Sequence, residues 1–197
     1  LIEAGPRLLA GMSEESSAHA EQFLREMGVN ILLNKRVVDY RDHKVVLEDG
    51  TEIATRTFIW VSGVTGVTIG NLDASLIGRG GRIKVDSFNR VEGMNNVFAI
   101  GDQCIQLADE NYPNGHPQLA QVAIQQGELL AKNLVRMEKG REMKPFHYRN
   151  LGSMATVGRN RAVAEFSKVK MQGWFAWVMW LVVHLRSILG VRNKVIV

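Results

Sequence analysis

A glycine and an aspartate, Gly101 and Asp102, directly follow the apolar run 97–100. Such a run predicts a buried β-strand, and open α/β sheets bind ligands beyond the carboxyl ends of their strands. Glycine lets a cofactor approach the backbone closely, and the Asp102 carboxylate can accept a hydrogen bond from a ribityl hydroxyl of a flavin. The alternative is that Asp102 caps the next helix. The flavin interpretation is favoured because that helix is not expected before about residue 118.

A long helix is predicted from about residue 119 to 137, and Pro117 suits its entry. The first-turn N–H groups of a helix lack acceptors and carry partial positive charge, so this end could stabilise negative charge on a flavin ring. Ala120 would permit the close approach of a flat ring. Gln121 and Gln125 lie one turn apart and could hold a quinone carbonyl. The alternative is an ordinary amphipathic helix with surface glutamines, and the spacing alone does not decide between them.

Glu3 ends a short apolar stretch and precedes the Gly5-Pro6 loop. In a dinucleotide-binding βαβ unit, an acidic residue at this place binds the adenosine ribose hydroxyls and repels a 2′-phosphate, which favours NAD over NADP. The glycine fingerprint that should lie upstream is not in the sequence, which opens as if at the end of a strand. We therefore expect the chain to be a fragment. Taken alone, a glutamate before a loop is more often an ordinary surface charge.

The C-terminal region combines tryptophan with positive charge. Trp174, Trp177 and Trp180 lie in the apolar run 174–183, which is about half the ~20 residues needed to cross a bilayer. Residues 132–197 carry 13 Lys and Arg against 3 Asp and Glu. Tryptophans flanked by cations indicate a helix lying in the membrane interface, and the alternative is a buried core or dimer helix. The flanking cations are Lys168, Lys170, Arg186, Arg192 and Lys194.

The single cysteine, Cys104, excludes a disulfide, a CxxC redox pair and a cysteine-rich metal site within this chain. His184 has no partner at metal-site spacing, so no metal site is predicted. The lone cysteine also argues against flavin reductases that work through a cysteine pair. Such a pair could still lie in a part of the protein that precedes this sequence.

The remaining patterns predict an α/β fold. A helix is expected from Ser13, which suits an N-cap, to the stop at Gly28. Strands are expected at 1–3, 29–33, 37–38, 45–47, 58–61, 83–85 and 97–100, with a turn at 48–51 and strand-like sequence in 146–166. The run 58–61 is apolar throughout, which is typical of a strand buried on both faces.

Together these segments resemble type II NADH dehydrogenases, the single-subunit NADH:quinone oxidoreductases of respiratory membranes. The matching segments are 1–7, 58–64, 97–102, 120–125, 152–159 and the tryptophan-rich tail. The Gly-Asp pair is common among flavin reductases. The Ala-Gln-Val-Ala-x-Gln helix joined to a basic, tryptophan-rich tail is far more specific to this family. The resemblance implies a fold with two Rossmann-type dinucleotide-binding domains. Residues 1–66 would close the NADH-binding domain, 67–140 the FAD-binding domain, and 141–197 would form strands and a membrane-anchoring helical tail.

The resemblance also implies roles for particular residues. For NADH, these are Glu3 at the ribose and Ser62 and Gly63 beside the nicotinamide nucleotide. For FAD, they are Gly101 and Asp102 at the ribityl chain and Ala120 and Gln121 along the ring. Gln121, Ile124 and Gln125 would border the quinone, and Trp174, Trp177, Trp180 and Arg186 would meet the membrane. Some members of the family have a histidine in place of Ile124, which leaves the proton donor on the quinone side open.

The implied activity passes a hydride from NADH to FAD and electrons on to a membrane quinone, without proton pumping. It needs no side-chain nucleophile and no metal. The implied location is peripheral, on the cytoplasmic face of the inner membrane, against an anionic membrane surface. A homodimer is possible and no nucleic acid is involved. Since both glycine fingerprints of the family would precede residue 1, we expect this chain alone to bind FAD poorly and to be inactive.

Three other functions remain open. Disulfide-type flavin reductases and sulfide:quinone oxidoreductases need paired cysteines near the flavin. Ferredoxin- or rubredoxin-type reductases would have no use for the tryptophan tail. The third alternative is a non-enzymatic module of the membrane surface that retains a nucleotide-binding fold.

Overall fold

The computed structural model describes residues 1–67, 69–167 and 169–188, with residues 186–188 described by their backbone alone. The chain divides into two compact units. One comprises Leu1–Trp60 and Leu151–Val197, and the other Val61–Asn150. Both units contain helix and strand, as expected for an α/β chain. The three-part division after residues 66 and 140 stays a prediction.

Within the described residues, the helices are α1 (Glu14–Glu26), α2 (Ala120–Glu138) and α3 (Gly173–Ile188). The strands are β1 (Val37–Arg41), β2 (Lys44–Leu47), β3 (Glu52–Ala54), β4 (Ile83–Val85), β5 (Cys104–Gln106), β6 (Ser153–Thr156), β7 (Ala162–Phe166) and β8 (Val169–Gln172). Short 3₁₀ turns cover Ala74–Leu76, Arg79–Gly81 and Gly101–Gln103.

The predicted first helix is confirmed in the first unit. Ser13 is the N-cap of α1, and its hydroxyl accepts the Ser16 N–H at 3.3 Å. Gly28 follows the end of the helix with φ +81°, a left-handed conformation that favours glycine. The stretches 1–3 and 29–33 meet in a single parallel bridge between Ile2 and Leu32 rather than in paired strands.

Strands β1, β2 and β3 form an antiparallel meander, which confirms the strands expected at 37–38 and 45–47 and the turn at 48–51. The expected strand at 58–61 is wrong, because no described strand forms a ladder with this segment. Phe58 instead stacks on Tyr40 of β1, with ring centroids 4.8 Å apart. Ile59 and Val61 are 74% and 86% exposed. An apolar run is therefore not sufficient to predict a buried strand here.

The C-terminal strands β6, β7 and β8 form a second antiparallel sheet in the first unit, and α1 and α3 both contact β7. Glu165 of β7 accepts hydrogen bonds from the backbone N–H of Ser13, at 2.9 Å, and from its hydroxyl. Because Ser13 caps α1, this carboxylate lies at the positive end of that helix. The sheet is thus bonded to the first helix of its unit.

The second unit is built around β4 and β5, which pair in parallel with Ile83 opposite Cys104. The expected strand at 97–100 is wrong, since this run makes only a bridge between Phe98 and Arg90. Gly101 reverses the chain with φ +64°, and the residues after the turn pair with β4 instead. The core consists of Ile83, Val85, Val91, Ala99 and Cys104.

Helix α2, which confirms the predicted long helix, is bonded to the chain that follows it by two side-chain amides. The amide of Gln125 donates to the Arg149 carbonyl at 2.9 Å and accepts the Arg149 N–H at 3.1 Å. Asn133 bonds the backbone of Lys144 in the same two-way manner, at 2.8 and 2.9 Å. Residues 144–149 therefore run back along α2 towards its N-terminus.

Candidate functional site

The structure brings the Gly101–Asp102 turn directly against α2. The Gly101 N–H donates to Gln126 Oε1 at 2.7 Å, and the Gln118 side chain donates to the Asp102 carbonyl at 3.1 Å. A Cβ placed on Gly101 would lie 3.2 Å from the Ala123 Cβ. Glycine is required here twice, for the left-handed φ of +64° and for the close approach of the helix.

Gln126 is a residue whose role the sequence did not reveal. It is 1% exposed, and its Nε2 lies 3.6 Å from Cys104 Sγ. Burial raises the pKa of the Cys104 thiol, although the Gln126 hydrogen bond lowers it in part, so this cysteine is a neutral packing group. The available signal was spacing, because Gln126 lies one turn after Val122 on the buried side of α2.

The N-terminus of α2 has no side-chain cap. Its N-cap is Leu119, whose side chain has no oxygen, and the Ala120 N–H finds no acceptor within the described chain. Asp102 does not cap this helix either, because its carboxylate forms no hydrogen bond or ion pair with any described residue. A helix end with the free N–H of Ala120, beside a free carboxylate, presents both a donor and an acceptor to a ligand.

The residues expected at the quinone site lie along the first two turns of α2. Gln121 is half-buried, and Ile124 is exposed. The Gln125 amide already bonds the Arg149 backbone, so one N–H and one lone pair of its oxygen remain for a ligand. Gln125 can therefore border such a site while it holds α2 to residues 144–149.

Glu3 lies just after the parallel bridge between Ile2 and Leu32, at the strand end expected for a ribose-binding carboxylate. One of its oxygens accepts the Gly5 N–H at 2.7 Å, which fixes the side chain across the turn. The other oxygen has no partner among the described residues. Glu3 can thus accept a hydrogen bond from a hydroxyl without breaking the turn.

Ser62 and Gly63 belong to the second unit, in a segment without regular structure. Both residues are exposed, and Gly63 has φ +76°. The positive φ turns the backbone in open space, since a Cβ placed on Gly63 would meet no described atom within 4 Å. Their expected role beside the nicotinamide nucleotide stays a prediction.

Helix α3 has one packed side and one exposed apolar side. Ala176 is fully buried and Trp177 packs on the same cluster, which includes Ala162 and Ala164 of β7. Trp174 and Phe175 are exposed, as is Val182, which lies two turns after Phe175 on the same face. Trp180 is half-buried and stacks on His184, with centroids 4.2 Å apart. Helix α3 is therefore packed on one side, and the contact of its exposed side with a membrane stays a prediction.

The charged flanks of α3 are only partly described. Lys170 forms an ion pair with Glu15 of α1 at 2.9 Å. Arg186 is expected to contact the membrane, but its side chain is not among those that the structure describes. Lys168, Arg192 and Lys194 also lie outside the described residues. Among the helices that are described, none is both long and apolar enough to cross a membrane.

The arrangement in the second unit fits FAD. Asp102 offers a free carboxylate for ribityl hydroxyls, and the free Ala120 N–H lies at the positive end of α2. Gly101 lets the turn that carries Asp102 approach α2 closely at Ala123. The same residues carry neither a cysteine pair nor a nucleophile, so any redox chemistry here would come from a bound cofactor.

Comparison with known proteins agrees with this geometry. Residues 1–127 match the pyridine nucleotide-disulphide oxidoreductase family, and residues 150–197 match the NDH2 C-terminal domain. The chain is 36% identical to the type II NADH:quinone oxidoreductase NdhA of Mycobacterium tuberculosis, over 99% of this chain and 43% of the relative. It is 33% identical to the internal alternative NAD(P)H-ubiquinone oxidoreductase A1 of Arabidopsis thaliana, over 98% of this chain and 41% of the relative.

The fold is shared with solved structures as well. NDH2 from Plasmodium falciparum in complex with NADH matches with a TM-score of 0.84 at 19% identity, over 98% of this chain and 55% of that one. The chain thus spans less than half the length of the two curated relatives. The family match covers most of the chain, and the C-terminal match covers the tail. The chain belongs to the pyridine nucleotide-disulphide oxidoreductase family, and it is similar to type II NADH dehydrogenases in its C-terminal match and its curated relatives.

Proposed function

We propose that this chain forms part of an FAD-dependent enzyme that transfers electrons from NADH to a membrane quinone. The observation that carries the proposal is the uncapped N-terminus of α2 beside the free Asp102 carboxylate. The chemistry that a bound FAD would supply is the acceptance of a hydride from a nicotinamide and the transfer of electrons to a quinone. The relatives named above are NADH- or NAD(P)H-dependent quinone oxidoreductases, which supports the same chemistry.

The side chains of the second unit would hold and orient the cofactor. Asp102 accepts hydrogen bonds from the ribityl hydroxyls, and Gly101 keeps the backbone close to them. Ala120 and Gln121 line the ring, where the positive end of α2 favours negative charge. Gln126 does not touch the cofactor, but it fixes Gly101 against the helix through a 2.7 Å hydrogen bond.

The quinone would meet the cofactor along the exposed side of α2. Gln121 offers a side-chain amide, and Gln125 retains one N–H and one lone pair of its oxygen while it binds Arg149. Ile124 presents an exposed apolar surface that suits a hydrophobic quinone. Since Ile124 has no titratable group, the proton that completes quinol formation is supplied by another group or by solvent.

Glu3, Ser62 and Gly63 would contribute to NADH binding. Glu3 has one carboxylate oxygen free for the adenosine ribose and, as an anion, disfavours a 2′-phosphate at that place. Ser62 and Gly63 would lie beside the nicotinamide nucleotide. A preference for NADH over NADPH follows from the charge of Glu3.

The exposed side of α3 would attach the protein to a membrane surface. Phe175 is 71% exposed, and Trp174 and Val182 extend the same apolar face. Apolar side chains on one face of a helix, with tryptophan at the interface, are typical of helices that lie in the headgroup region. We propose a peripheral location on the cytoplasmic face of the inner membrane, with an anionic lipid surface as the partner and a homodimer as a further possibility.

The test is an assay of the purified protein, with this chain in its complete natural context, for NADH-dependent reduction of a soluble quinone. We expect stoichiometric FAD and quinone-dependent NADH oxidation. The same assay with NADPH should give a lower kcat/KM. A protein with FAD that transfers electrons to sulfide-derived or ferredoxin substrates, but not from NADH to quinone, would support the rival flavin reductases. A protein without FAD and without activity would leave the membrane-surface module as the better account.

A further inference from the structure

Arg82 is a buried cation without a carboxylate partner among the described residues. It lies directly before β4, is 8% exposed, and donates from Nη1 to the His116 carbonyl at 3.0 Å. A second, longer hydrogen bond runs from Nε to the Arg79 carbonyl at 3.4 Å. Buried charges in proteins are normally paired, because desolvation is costly. These two carbonyls accept two of its five N–H donors and leave its charge uncompensated by the described residues.

The carbonyl that Arg82 binds belongs to the loop that leads into α2. His116 Nε2 lies 2.9 Å from Asp109 Oδ2, and both side chains are buried. The imidazole packs edge-on against Phe146, with centroids 5.2 Å apart, and against Tyr112 at 5.1 Å. The loop is therefore fixed on its side-chain face by Asp109 and the aromatic rings. Arg82 fixes its backbone face, three residues before the helix N-cap.

The sheet register places Arg82 beside the Gly101–Asp102 turn. Ile83 pairs with Cys104 in the parallel β4–β5 ladder, so Arg82 is level with Gln103, the residue after Asp102. The Arg82 charge also reaches this turn electrostatically. Burial raises the pKa of the Cys104 thiol, and the positive charge of Arg82 is among the influences that lower it. Cys104 Sγ in turn lies 3.5 Å from the Gly101 carbonyl oxygen.

We propose that Arg82 is a positioning residue for the N-terminus of α2, which it holds in place through the His116 carbonyl while adding a buried positive charge behind the helix end. The inference deepens the proposed function, since this helix end is the one assigned to the flavin ring. Its consequence is twofold. The first turn, with the free Ala120 N–H, is kept in a single orientation, and negative charge on a ring placed against this helix end is stabilised further.

Three variants test the proposal in the complete protein. Arg82→Met removes the charge and the hydrogen bonds but keeps the length of the side chain. Arg82→Lys keeps the charge and loses the planar fork that serves two carbonyls. Arg79→Met is the matched control, because Arg79 is exposed and only its backbone carbonyl contacts Arg82. Each variant is measured for amide hydrogen exchange in residues 117–123, for the FAD dissociation constant and for the flavin midpoint potential.

For Arg82→Met, we expect exchange in residues 117–123 to accelerate about tenfold, the FAD dissociation constant to rise about tenfold, and the midpoint potential to become more negative. The midpoint potential of Arg82→Lys should lie close to that of the wild type, because the charge is kept. Exchange in residues 117–123 should lie between the rates of the wild type and Arg82→Met. Arg79→Met should match the wild type in all three. A role limited to global folding would change exchange throughout the second unit and would leave the potential of the flavin-loaded protein unchanged.

Two results separate this inference from the function on which it rests. If the folded Arg82→Met protein exchanges residues 117–123 at the wild-type rate, or keeps the wild-type potential, the role of Arg82 is contradicted while the proposed function stands. If the wild type binds no FAD, the proposed function is contradicted. In that case, the exchange of residues 117–123 still decides whether Arg82 holds the helix entry.

Discussion

Gly101 and Gln126, 25 residues apart in the sequence, are joined by a 2.7 Å hydrogen bond from the Gly101 N–H to the Gln126 Oε1. The bond is buried at its glutamine end and joins the turn that presents Asp102 to the helix that presents Ala120. The position of one candidate cofactor contact relative to the other thus depends on a side chain that touches no ligand.

Replacement of Gln126 by leucine should destabilise the protein. The Gly101 N–H would lose its acceptor inside the fold, and a buried unsatisfied donor costs about 1–3 kcal/mol. Gln22→Leu is the matched control, because Gln22 is exposed on α1 and bonds only Glu26, one turn away. Urea denaturation should show a lower free energy of unfolding for Gln126→Leu and a change within about 0.5 kcal/mol for Gln22→Leu. Equal effects of both variants would contradict the role of the buried bond.

Replacement of Gly101 by alanine tests the close approach of the helix. An alanine at φ +64° is strained by about 1–2 kcal/mol, and its Cβ would also press on Ala123 at 3.2 Å. Gly140→Ala has a similar φ of +62° with nothing within 4 Å, so it carries the strain without the contact. The melting temperature should fall for both variants and should fall further for Gly101→Ala. Of the two variants, Gly101→Ala alone should lose bound FAD. Retention of full FAD content by Gly101→Ala would speak against a cofactor beside this turn.

Glu165 should make the stability of the protein depend on pH in the acid range. Burial raises its pKa, but hydrogen bonds from Ser13 and Ser16 outweigh this and hold the pKa below the ordinary 4.5. A carboxylate with a lowered folded pKa stabilises the fold above its unfolded pKa, and this contribution is lost as the pH falls through the folded value. The melting temperature should therefore decrease between about pH 5 and pH 3.

The variant Glu165→Gln checks the origin of this dependence. The amide of glutamine can still accept a hydrogen bond from Ser13, but it lacks the negative charge that interacts favourably with the positive end of α1. We expect a lower melting temperature at pH 7 and a flatter profile from pH 5 to pH 3 than in the wild type. Glu92→Gln, at an exposed position, serves as the control and should keep the wild-type profile. If the melting temperatures of Glu165→Gln and the wild type changed with pH in parallel, this carboxylate would not be the source of the pH dependence.

Phe175→Ser tests the attachment of α3 to membranes. Burying an exposed phenylalanine contributes about 1.5–3 kcal/mol, so the loss of this side chain should weaken binding to anionic vesicles at least tenfold in a sedimentation assay. Val38→Ser, an exposed apolar position on β1, is the control for a general loss of surface hydrophobicity. Unchanged vesicle binding of Phe175→Ser would favour a helix whose exposed face meets protein rather than lipid.

The sequence predicted the elements whose signals are local. Ser13 and Gly28 bounded α1, the turn at 48–51 predicted the hairpin, and the long periodic pattern predicted α2. It failed at 58–61 and 97–100, where apolar composition is shared by buried strands and by segments that pack through side chains alone. Whether such a run becomes a strand depends on the partner that reaches it, and this is a property of the whole fold.

At the site, the pairing of Asp102 with the start of α2 could be predicted, because a glycine after an apolar run and a proline before a helix are local signals. The contributions of Arg82 and Gln126 could not be predicted from the sequence. Each acts through a hydrogen bond to a backbone group distant in sequence, and no spacing rule joins Arg82 to His116. The partner of Gln125 was missed for the same reason, since Arg149 lies beyond the end of α2.

The most direct measurement for the central claim is the FAD affinity of Asp102→Asn in the complete protein, followed by flavin fluorescence. Because the Asp102 carboxylate has no partner among the described residues, the substitution should leave the melting temperature of the flavin-free protein within about 1 °C of the wild type. Asp42→Asn, in the exposed β1–β2 turn, is the control. A charge-assisted hydrogen bond contributes about 1.5–3 kcal/mol, so the FAD dissociation constant of Asp102→Asn should rise at least tenfold. A dissociation constant within twofold of the wild type would contradict a flavin bound at this turn.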